Sequence, residues 1–508
     1  MRYTSSLKFN VVANYAGQIY TAGINLLLLP LQVRALGAEA FGLVGFFAVL
    51  SGWLQLLDVG LTPTLARETA NYRAGALAQT SYRQLLHSIE WLFSGVGVLI
   101  VLAVFLASSP IATRWLNLAA LTPATAARAV SLMGVVFAFR WQSTLSRSVL
   151  LGLERQVWVN GITAFSATLR SAGVLIALHF FGATPSVFFV YQALVSGLEL
   201  LILRITVTRV LALPPSAVER WSLAPIRRVA PFSLRVAITG LIWVMVTQLD
   251  KLLLTRLLPL AEYAWFAIAV TAASGITLLA GPIGQAVQPR LTFFSAEGNE
   301  TALRATYSDA TQMLAAVALT ASFIVAFAAR PLLWAWTGNA HLASHMALVL
   351  SFYSLGNGLL AVGAMTYYLQ IARGDLSLHL KGNLVYAALL IPLVAYSTLT
   401  RGMLGASLAW FGANITFFVV WAALVHRRFL SGAHLRWLAI DVGAPAVVGL
   451  ALSIALPLLP WTGLSRIETT LALLLAGAIA TGASLLVTRP VQRLLKTIRF
   501  RESRQLLR

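Results

Sequence analysis

The sequence predicts an all-α polytopic membrane protein of about fourteen transmembrane helices, with two pseudo-symmetric six-helix lobes around a central cleft and a C-terminal helix pair. Three observations predict this class. Hydrophobic residues make up 59% and charged residues 10% of 508 positions, and the mean hydropathy is +0.81, whereas a soluble domain carries about 25% charged residues. Apolar runs long enough to cross a bilayer recur along the chain. Basic residues concentrate on alternate connections between these runs.

The apolar runs define the predicted transmembrane helices. A hydrocarbon core of about 30 Å needs about 20 apolar residues in a helix. The connections between the runs are short, so the sequence predicts no extramembrane domain. The predicted spans are residues 10–33, 40–60, 84–108, 127–149, 158–180, 186–209, 229–255, 261–284, 309–331, 345–371, 379–399, 402–425, 437–459 and 467–488.

The distribution of Arg and Lys predicts the orientation. When the N-terminus is placed in the cytoplasm, most basic residues fall on the cytoplasmic side, so both termini are predicted to be cytoplasmic. This topology accounts for the net charge of +21 without a nucleic-acid partner. The first span does not resemble a cleavable signal, because polar residues interrupt it. The basic residues predicted to lie outside are Arg34, Arg114, Arg128, Arg256, Arg330, Arg401 and Arg466.

An internal similarity predicts the division into lobes. The stretch AEAFGLVGFFAVLSG (Ala38–Gly52) resembles AEYAWFAIAVTAASG (Ala261–Gly275), and the two lie six spans apart. An even number of spans preserves orientation, so the repeat is parallel, about an axis along the membrane normal. The predicted organisation is an N-lobe (1–212), a cytoplasmic inter-lobe linker (213–228), a C-lobe (229–430), a helix pair (431–490) and a basic cytoplasmic tail (491–508).

The sequence lacks the motifs of common catalytic sites. It contains no GxxxxGK[ST], GxSxG or HExxH pattern, and the absence of cysteine excludes thiolate chemistry. His341 and His345 form an i, i+4 pair, but two ligands without a third favour surface histidines over a metal site. We therefore predict a transporter rather than an enzyme, with no metal and no cofactor. Proton or sodium coupling is left open.

Charged residues inside the predicted spans are the candidate functional residues. A charge at mid-bilayer costs at least about 2.5–3.5 kcal/mol on insertion scales. Four basic residues fall within spans, and guanidinium groups bind phosphates bidentately, which suits a pyrophosphate. The alternative is that these residues snorkel to headgroups or pair internally. The cationic-cleft candidates are Arg140, Arg170, Arg235 and Lys251; the polar or coupling candidates are Asp250, Gln248, Asn14, Gln18, Glu90 and Glu199.

Asp250 and Lys251 lie side by side near the outer end of span seven. Adjacent residues on a helix point about 100° apart. We therefore expect them not to form a simple local salt bridge, and we expect this end of the helix to line the outer mouth of the cleft.

Two segments resemble a known family. The LGAEAFG turn (Leu36–Gly42) and the QLDKLLL stretch (Gln248–Leu254) are similar to segments of Wzx-type O-antigen and capsule flippases. These belong to the multidrug/oligosaccharidyl-lipid/polysaccharide (MOP) exporter superfamily. The resemblance implies that the chain moves undecaprenyl-pyrophosphate-linked oligosaccharide from the inner to the outer leaflet of the bacterial inner membrane. It also implies a cationic cleft, membrane lipids as neighbours, and a polymerase or glycosyltransferases as partners in lipopolysaccharide or capsule synthesis.

Three alternatives stay open at this point. A drug or metabolite antiporter of the related multidrug (MATE) family would carry buried acids in its cleft rather than arginines. A lipid II flippase of the same superfamily would also bind a pyrophosphate. A membrane scaffold for a polymerase would gain little from buried charges.

Overall fold

The structure is a computed structural model that describes residues 7–211 and 222–505. It leaves undescribed the side chains of residues 7–15, 235, 239, 280, 282, 285, 286 and 498–505. Most of the predicted inter-lobe linker (213–228) and the last three tail residues therefore lie outside the described residues. The described ranges are α-helical and form no β-sheet, which confirms the all-α prediction.

The chain divides into two compact units, Met1–Ala264 and Trp265–Arg508, and the predicted lobe boundaries stay a prediction. The first unit contains nine helices of the described chain and the start of a tenth. A π-helical turn, Leu169–Gly173, joins two of them. The helices are α1 (Leu7–Leu36), α2 (Ala38–Leu54), α3 (Leu61–Arg73), α4 (Gln79–Pro110), α5 (Pro123–Gly152), α6 (Gln156–Thr168), α7 (Val174–Phe181), α8 (Pro185–Leu211), α9 (Ala224–Leu257) and α10 (Leu260–Ala296).

The second unit contains the rest of α10 and the remaining described helices. π-Helical turns at Ala315–Leu319 and Trp437–Gly443 interrupt it. Its core includes Leu314, Val362, Met365 and Trp437, all fully or almost fully buried. The helices are α11 (Glu300–Leu314), α12 (Thr320–Phe327), α13 (Ala329–Thr337), α14 (Ala340–Ala372), α15 (Ser377–Phe429), α16 (His434–Arg436), α17 (Ala444–Ser453), α18 (Arg466–Leu486) and α19 (Arg489–Gln505).

Twelve helical segments of the described chain are long and apolar enough to cross a membrane. The helix α5 is not among them, although it covers predicted span 127–149, because it carries three arginines. Predicted spans 379–399 and 402–425 both fall within the single segment α15. The count of fourteen stays a prediction.

The 53-residue helix α15 reverses direction at Gly402. This residue has φ 58° and ψ −139°, outside the helical range. The rings of Tyr386 and Phe417 lie 4.6 Å apart, whereas 31 residues of straight helix would separate them by about 46 Å. The segment is therefore a pair of antiparallel helices, each long enough to cross a bilayer.

Side chains bonded to backbone groups fix the helix ends of the first unit. Glu39, in the first turn of α2, accepts hydrogen bonds from the N–H groups of Ala119 (2.6 Å), Ala120 (2.7 Å) and Leu121 (3.1 Å). Asn117 donates to the carbonyl oxygen of Arg256 (2.7 Å). The loop before α5 is thus held to α2 and to the end of α9. Glu39 of the LGAEAFG turn thus fixes the position of this loop, a role that the motif alone did not predict.

The reversal in α15 predicts a position-specific effect of adding one methyl group. A Cβ on Gly405 would overlap the carbonyl oxygen of Ser397, whereas a Cβ on Gly412 of the same segment meets no atom within 4 Å. We expect Gly405→Ala to cost about 1–3 kcal/mol through overpacking. Gly412→Ala should be neutral or stabilising, since Ala favours helix by about 1 kcal/mol. Thermal unfolding of the detergent-solubilised protein checks this; equal unfolding temperatures for the two variants would contradict the reversal.

Candidate functional site

A cluster of buried charges lies inside the first unit, where α5 and α8 meet the π-helical turn Leu169–Gly173. Arg147 on α5 and Arg170 in the π-helical turn both form ion pairs with Glu199 on α8, one with each carboxylate oxygen. The Glu199 side chain is only 1% exposed, while Arg147 and Arg170 retain 29% and 21%. The carboxylate is therefore the buried centre of the cluster, and the two guanidinium groups are more accessible.

Arg140 joins the same cluster through amide and hydroxyl groups. Its Nη2 donates to Oε1 of Gln192 (3.0 Å), and its Nε lies 3.4 Å from Oγ of Ser196. Its guanidinium also lies over the ring of Phe47, 5.2 Å from the centroid. Gln192 in turn donates to the carbonyl oxygen of Arg170 (3.2 Å). Gln192 thus connects Arg140 and Arg170, two of the three arginines that the sequence singled out.

Helical spacing explains why these side chains converge. Residues 140 and 147 are seven apart on α5, and residues 192, 196 and 199 follow an i, i+4, i+7 pattern on α8, so each set lies on one face. The π-helical turn places Arg170 against this face, and such turns are frequent at functional sites. The sequence analysis missed Arg147 and Gln192, although the i, i+7 spacing with Arg140 was a signal for the first.

The cluster carries an excess of positive charge. The cluster contains three arginines and one carboxylate, which pairs with Arg147 and Arg170 but not with Arg140. The Nε groups of Arg147 and Arg170 are buried without a hydrogen-bond partner among the described residues. Unpaired donors in a medium of low dielectric constant favour an anion strongly. The cluster is thus suited to bind an acceptor with several oxygens, such as a phosphate.

The expectation that Asp250 and Lys251 form no local salt bridge was wrong. The Nζ of Lys251 lies 3.2 Å and 3.3 Å from the two carboxylate oxygens of Asp250, and it donates to the carbonyl oxygen of Thr247 (2.6 Å). The 100° angle between adjacent Cβ atoms does not prevent this, because the four-carbon lysine stem folds back toward the helix N-terminus. The neighbouring Gln248 packs against Gly52 of α2.

The remaining candidates lie elsewhere or outside the described side chains. The side chains of Asn14 and Arg235 are not described, so their predicted roles stay predictions. Gln18 is exposed on α1. Glu90 is partly buried on α4, and the charges that act on it are those of Arg204 and His87. Of the predicted set, the structure brings together Arg140, Arg170 and Glu199.

Another buried carboxylate belongs to the second unit. Asp441, in the π-helical turn Trp437–Gly443, accepts hydrogen bonds from Ser308 (2.7 Å) and Gln312 (2.8 Å). The backbone N–H of Arg489, at the start of α19, donates to Gln312 (2.7 Å). This network attaches the tail helix to α11 and gives Asp441 a structural role.

The helical fold, with twelve long apolar segments in the described part of the chain, defines a multi-pass membrane protein. The family described as "Polysaccharide biosynthesis protein" matches residues 7–295, more than half of the chain. The chain belongs to this family. No curated protein matches the sequence.

Solved structures show the same fold. "Lipid II flippase MurJ, inward closed conformation" is 12% identical, with a TM-score of 0.71, and the match covers 94% of this chain and 98% of that one. An inward-facing multidrug resistance MATE family transporter of the MOP superfamily is 16% identical (TM-score 0.61; 83% and 100% covered). A MOP superfamily transporter from Pyrococcus furiosus is also 16% identical (TM-score 0.57; 83% and 96% covered). The predicted resemblance in fold is thus confirmed.

The shared carboxylate predicts that Glu199 stabilises the fold. In Glu199→Gln, Arg147 and Arg170 lose their counter-charge and repel each other. Breaking a buried ion pair from one side costs about 3–5 kcal/mol. We therefore expect a clearly lower unfolding temperature in detergent, whereas Glu297→Gln, at an exposed position on the loop after α10, should unfold like the wild type. A double-mutant cycle with Arg170→Gln should show coupling between the two sites. Additive effects, or an unchanged Glu199→Gln, would contradict the bridging role.

Proposed function

We propose that the chain is a flippase for undecaprenyl-pyrophosphate-linked oligosaccharide, the repeat unit of O-antigen, capsule or exopolysaccharide. It moves this substrate from the inner to the outer leaflet of the bacterial inner membrane by alternating access, with both termini in the cytoplasm. Its partners are the lipid-linked substrate and membrane lipids, and the match to the polysaccharide-biosynthesis family supports this substrate class.

The observation that carries the proposal is the excess of arginine in the first unit. A pyrophosphate carries several anionic oxygens, and Arg140, Arg147 and Arg170 offer planar donor groups that bind such oxygens in pairs. Crossing hydrocarbon without polar partners is prohibitive for a glycan and a pyrophosphate. A cationic site within the protein lowers that barrier for the headgroup, while the lipid tail stays in the bilayer.

The two buried acids of the first unit, Glu199 and Asp250, argue against an antiporter for organic cations. Such a transporter needs a carboxylate that is available to its substrate. Glu199 is bound by two arginines, and Asp250 is paired with Lys251. Both acids are already neutralised by cations of the protein.

Complementation tests the substrate class. The chain is expressed in a bacterium that lacks its own O-antigen flippase, and surface polysaccharide is probed on intact cells. Restored surface polymer supports the proposal. Because flippases select among glycans, several recipient strains with different repeat units are needed. Loss of signal in all of them, together with new resistance to cationic dyes, would replace the proposal with the antiporter.

Substitution of the cluster arginines gives the second test in the same assay. We expect Arg140→Gln and Arg147→Gln to lower export at least about tenfold at equal protein levels, since each removes a charge-assisted contact worth about 1.5–3 kcal/mol. Arg140→Lys keeps the charge but loses the bidentate fork, so export should be intermediate. The control is Arg209→Gln, an exposed arginine at the end of α8, which should export normally. Normal export by both cluster variants would remove the cationic-site hypothesis.

A further inference from the structure

A cavity of about 650 Å³ lies in the second unit, at the end where α12, α13 and α14 meet the connection between α17 and α18. Its volume is within the range of small-molecule and lipid sites, about 300–1,000 Å³. The basic-residue pattern predicts that this end faces the outer side of the membrane. It belongs to a different unit from the arginine cluster, so it is independent of the proposed transport site. Its walls are mainly apolar and include Phe327, Pro331, Leu348, Pro460 and Leu464.

Hydrogen bonds hold the walls of this cavity together. Arg466, at the start of α18, donates to the carbonyl oxygens of Ala335 (2.9 Å) and Trp336 (2.8 Å) near the end of α13. Ser351 on α14 donates to the carbonyl oxygen of Ala326 on α12 (2.6 Å), and Trp461 donates to that of Leu456 (2.7 Å). Each wall is thus tied to another element or to its own turn. These hydrogen bonds therefore fix the positions of the cavity walls.

Arg330 supplies the charge of the cavity. Its side chain lines the cavity, is exposed, and makes no hydrogen bond or ion pair with any residue in the described part of the chain. It is the second residue of α13, so the positive end of that helix adds to its attraction for an anion. The indoles of Trp334 and Trp461 also line the cavity, and such side chains are typical of the membrane–water interface.

We propose that this cavity binds a lipid phosphate, that is, a phosphate ester carrying an apolar chain. Arg330 binds the phosphate oxygens, and the chain occupies the apolar walls. This arrangement fits the ligand, because the guanidinium of Arg330 lies at the predicted membrane interface, where the phosphate would be, and the apolar walls match the apolar chain. Two sources present the same chemistry: a glycerophospholipid of the leaflet and an isoprenyl phosphate.

The test measures lipid binding to the full chain purified in detergent, by native mass spectrometry. The probes are dioleoylphosphatidylglycerol, undecaprenyl monophosphate, and dioleoylglycerol as a lipid without phosphate. We expect Arg330→Gln to weaken binding of both phosphates about tenfold and to leave dioleoylglycerol unchanged. The matched control is Arg401→Gln, an exposed arginine predicted on the same side but outside the cavity, and it should bind like the wild type. Whichever of the two phosphates, phosphatidylglycerol or undecaprenyl monophosphate, binds more tightly identifies the class of lipid that the cavity holds.

A second variant tests the location of the site. Ala347 lines the cavity, so Ala347→Phe narrows it without changing any charge, and it should weaken all three lipids. Far-UV circular dichroism confirms that each variant is folded. The proposal is overturned if Arg330→Gln and Arg401→Gln bind phosphates equally, or if the folded Ala347→Phe variant binds all three lipids like the wild type.

Discussion

A single carboxylate, that of Glu199, ties together two arginines that come from different helices of the first unit. Without it, Arg147 and Arg170 would face each other as like charges in a medium of low dielectric constant. With it, ion pairs to one carboxylate connect α5, α8 and the π-helical turn Leu169–Gly173. Hydrogen bonds from Arg140 to Gln192, and from Gln192 to the backbone of Arg170, extend these ion pairs into a network. The charges that make the helices costly to insert are the same charges that hold them together.

This network explains why α5, although it is long, is not among the helical segments of the described chain that are apolar enough to cross a membrane. Its arginines lower its hydropathy, but half of its residues are buried against α3, α4 and α8. A helix that is surrounded by other helices need not be apolar, since its polar face meets protein rather than lipid. Hydropathy alone therefore misses such a helix, although two of the arginines that lower its hydropathy, Arg140 and Arg147, are residues on which the proposed function rests.

Hydropathy predicted most of the fold, because a transmembrane helix forms all of its backbone hydrogen bonds within itself and is set by local sequence. The reversal at Gly402 was also visible, as the boundary between two predicted spans. The pairing of charges was less accessible. Arg140 and Arg170 could be selected by depth, but the role of Arg170 depends on a π-helical turn that no periodicity reveals. The pairing of Lys251 with Asp250 was missed for another reason. It depends on the flexible lysine side chain, whereas the expectation considered only the directions of the two Cβ atoms.

The ratio of three arginines to one carboxylate has a consequence for the proposed transport cycle. If every arginine were paired with an acid of the protein, the cluster would attract a substrate anion only weakly. If the cluster had no acid, its arginines would repel one another whenever no substrate is bound. Here Glu199 orders Arg147 and Arg170 in the absence of substrate, yet their Nε donors stay unmatched. In the cycle that we propose, an incoming pyrophosphate supplies the missing acceptors and competes with Glu199 for the same guanidinium groups. Since a ligand shifts a conformational equilibrium only by its differential affinity for the two states, the proposed cycle requires this exchange of partners to link substrate binding to the packing of α5 against α8.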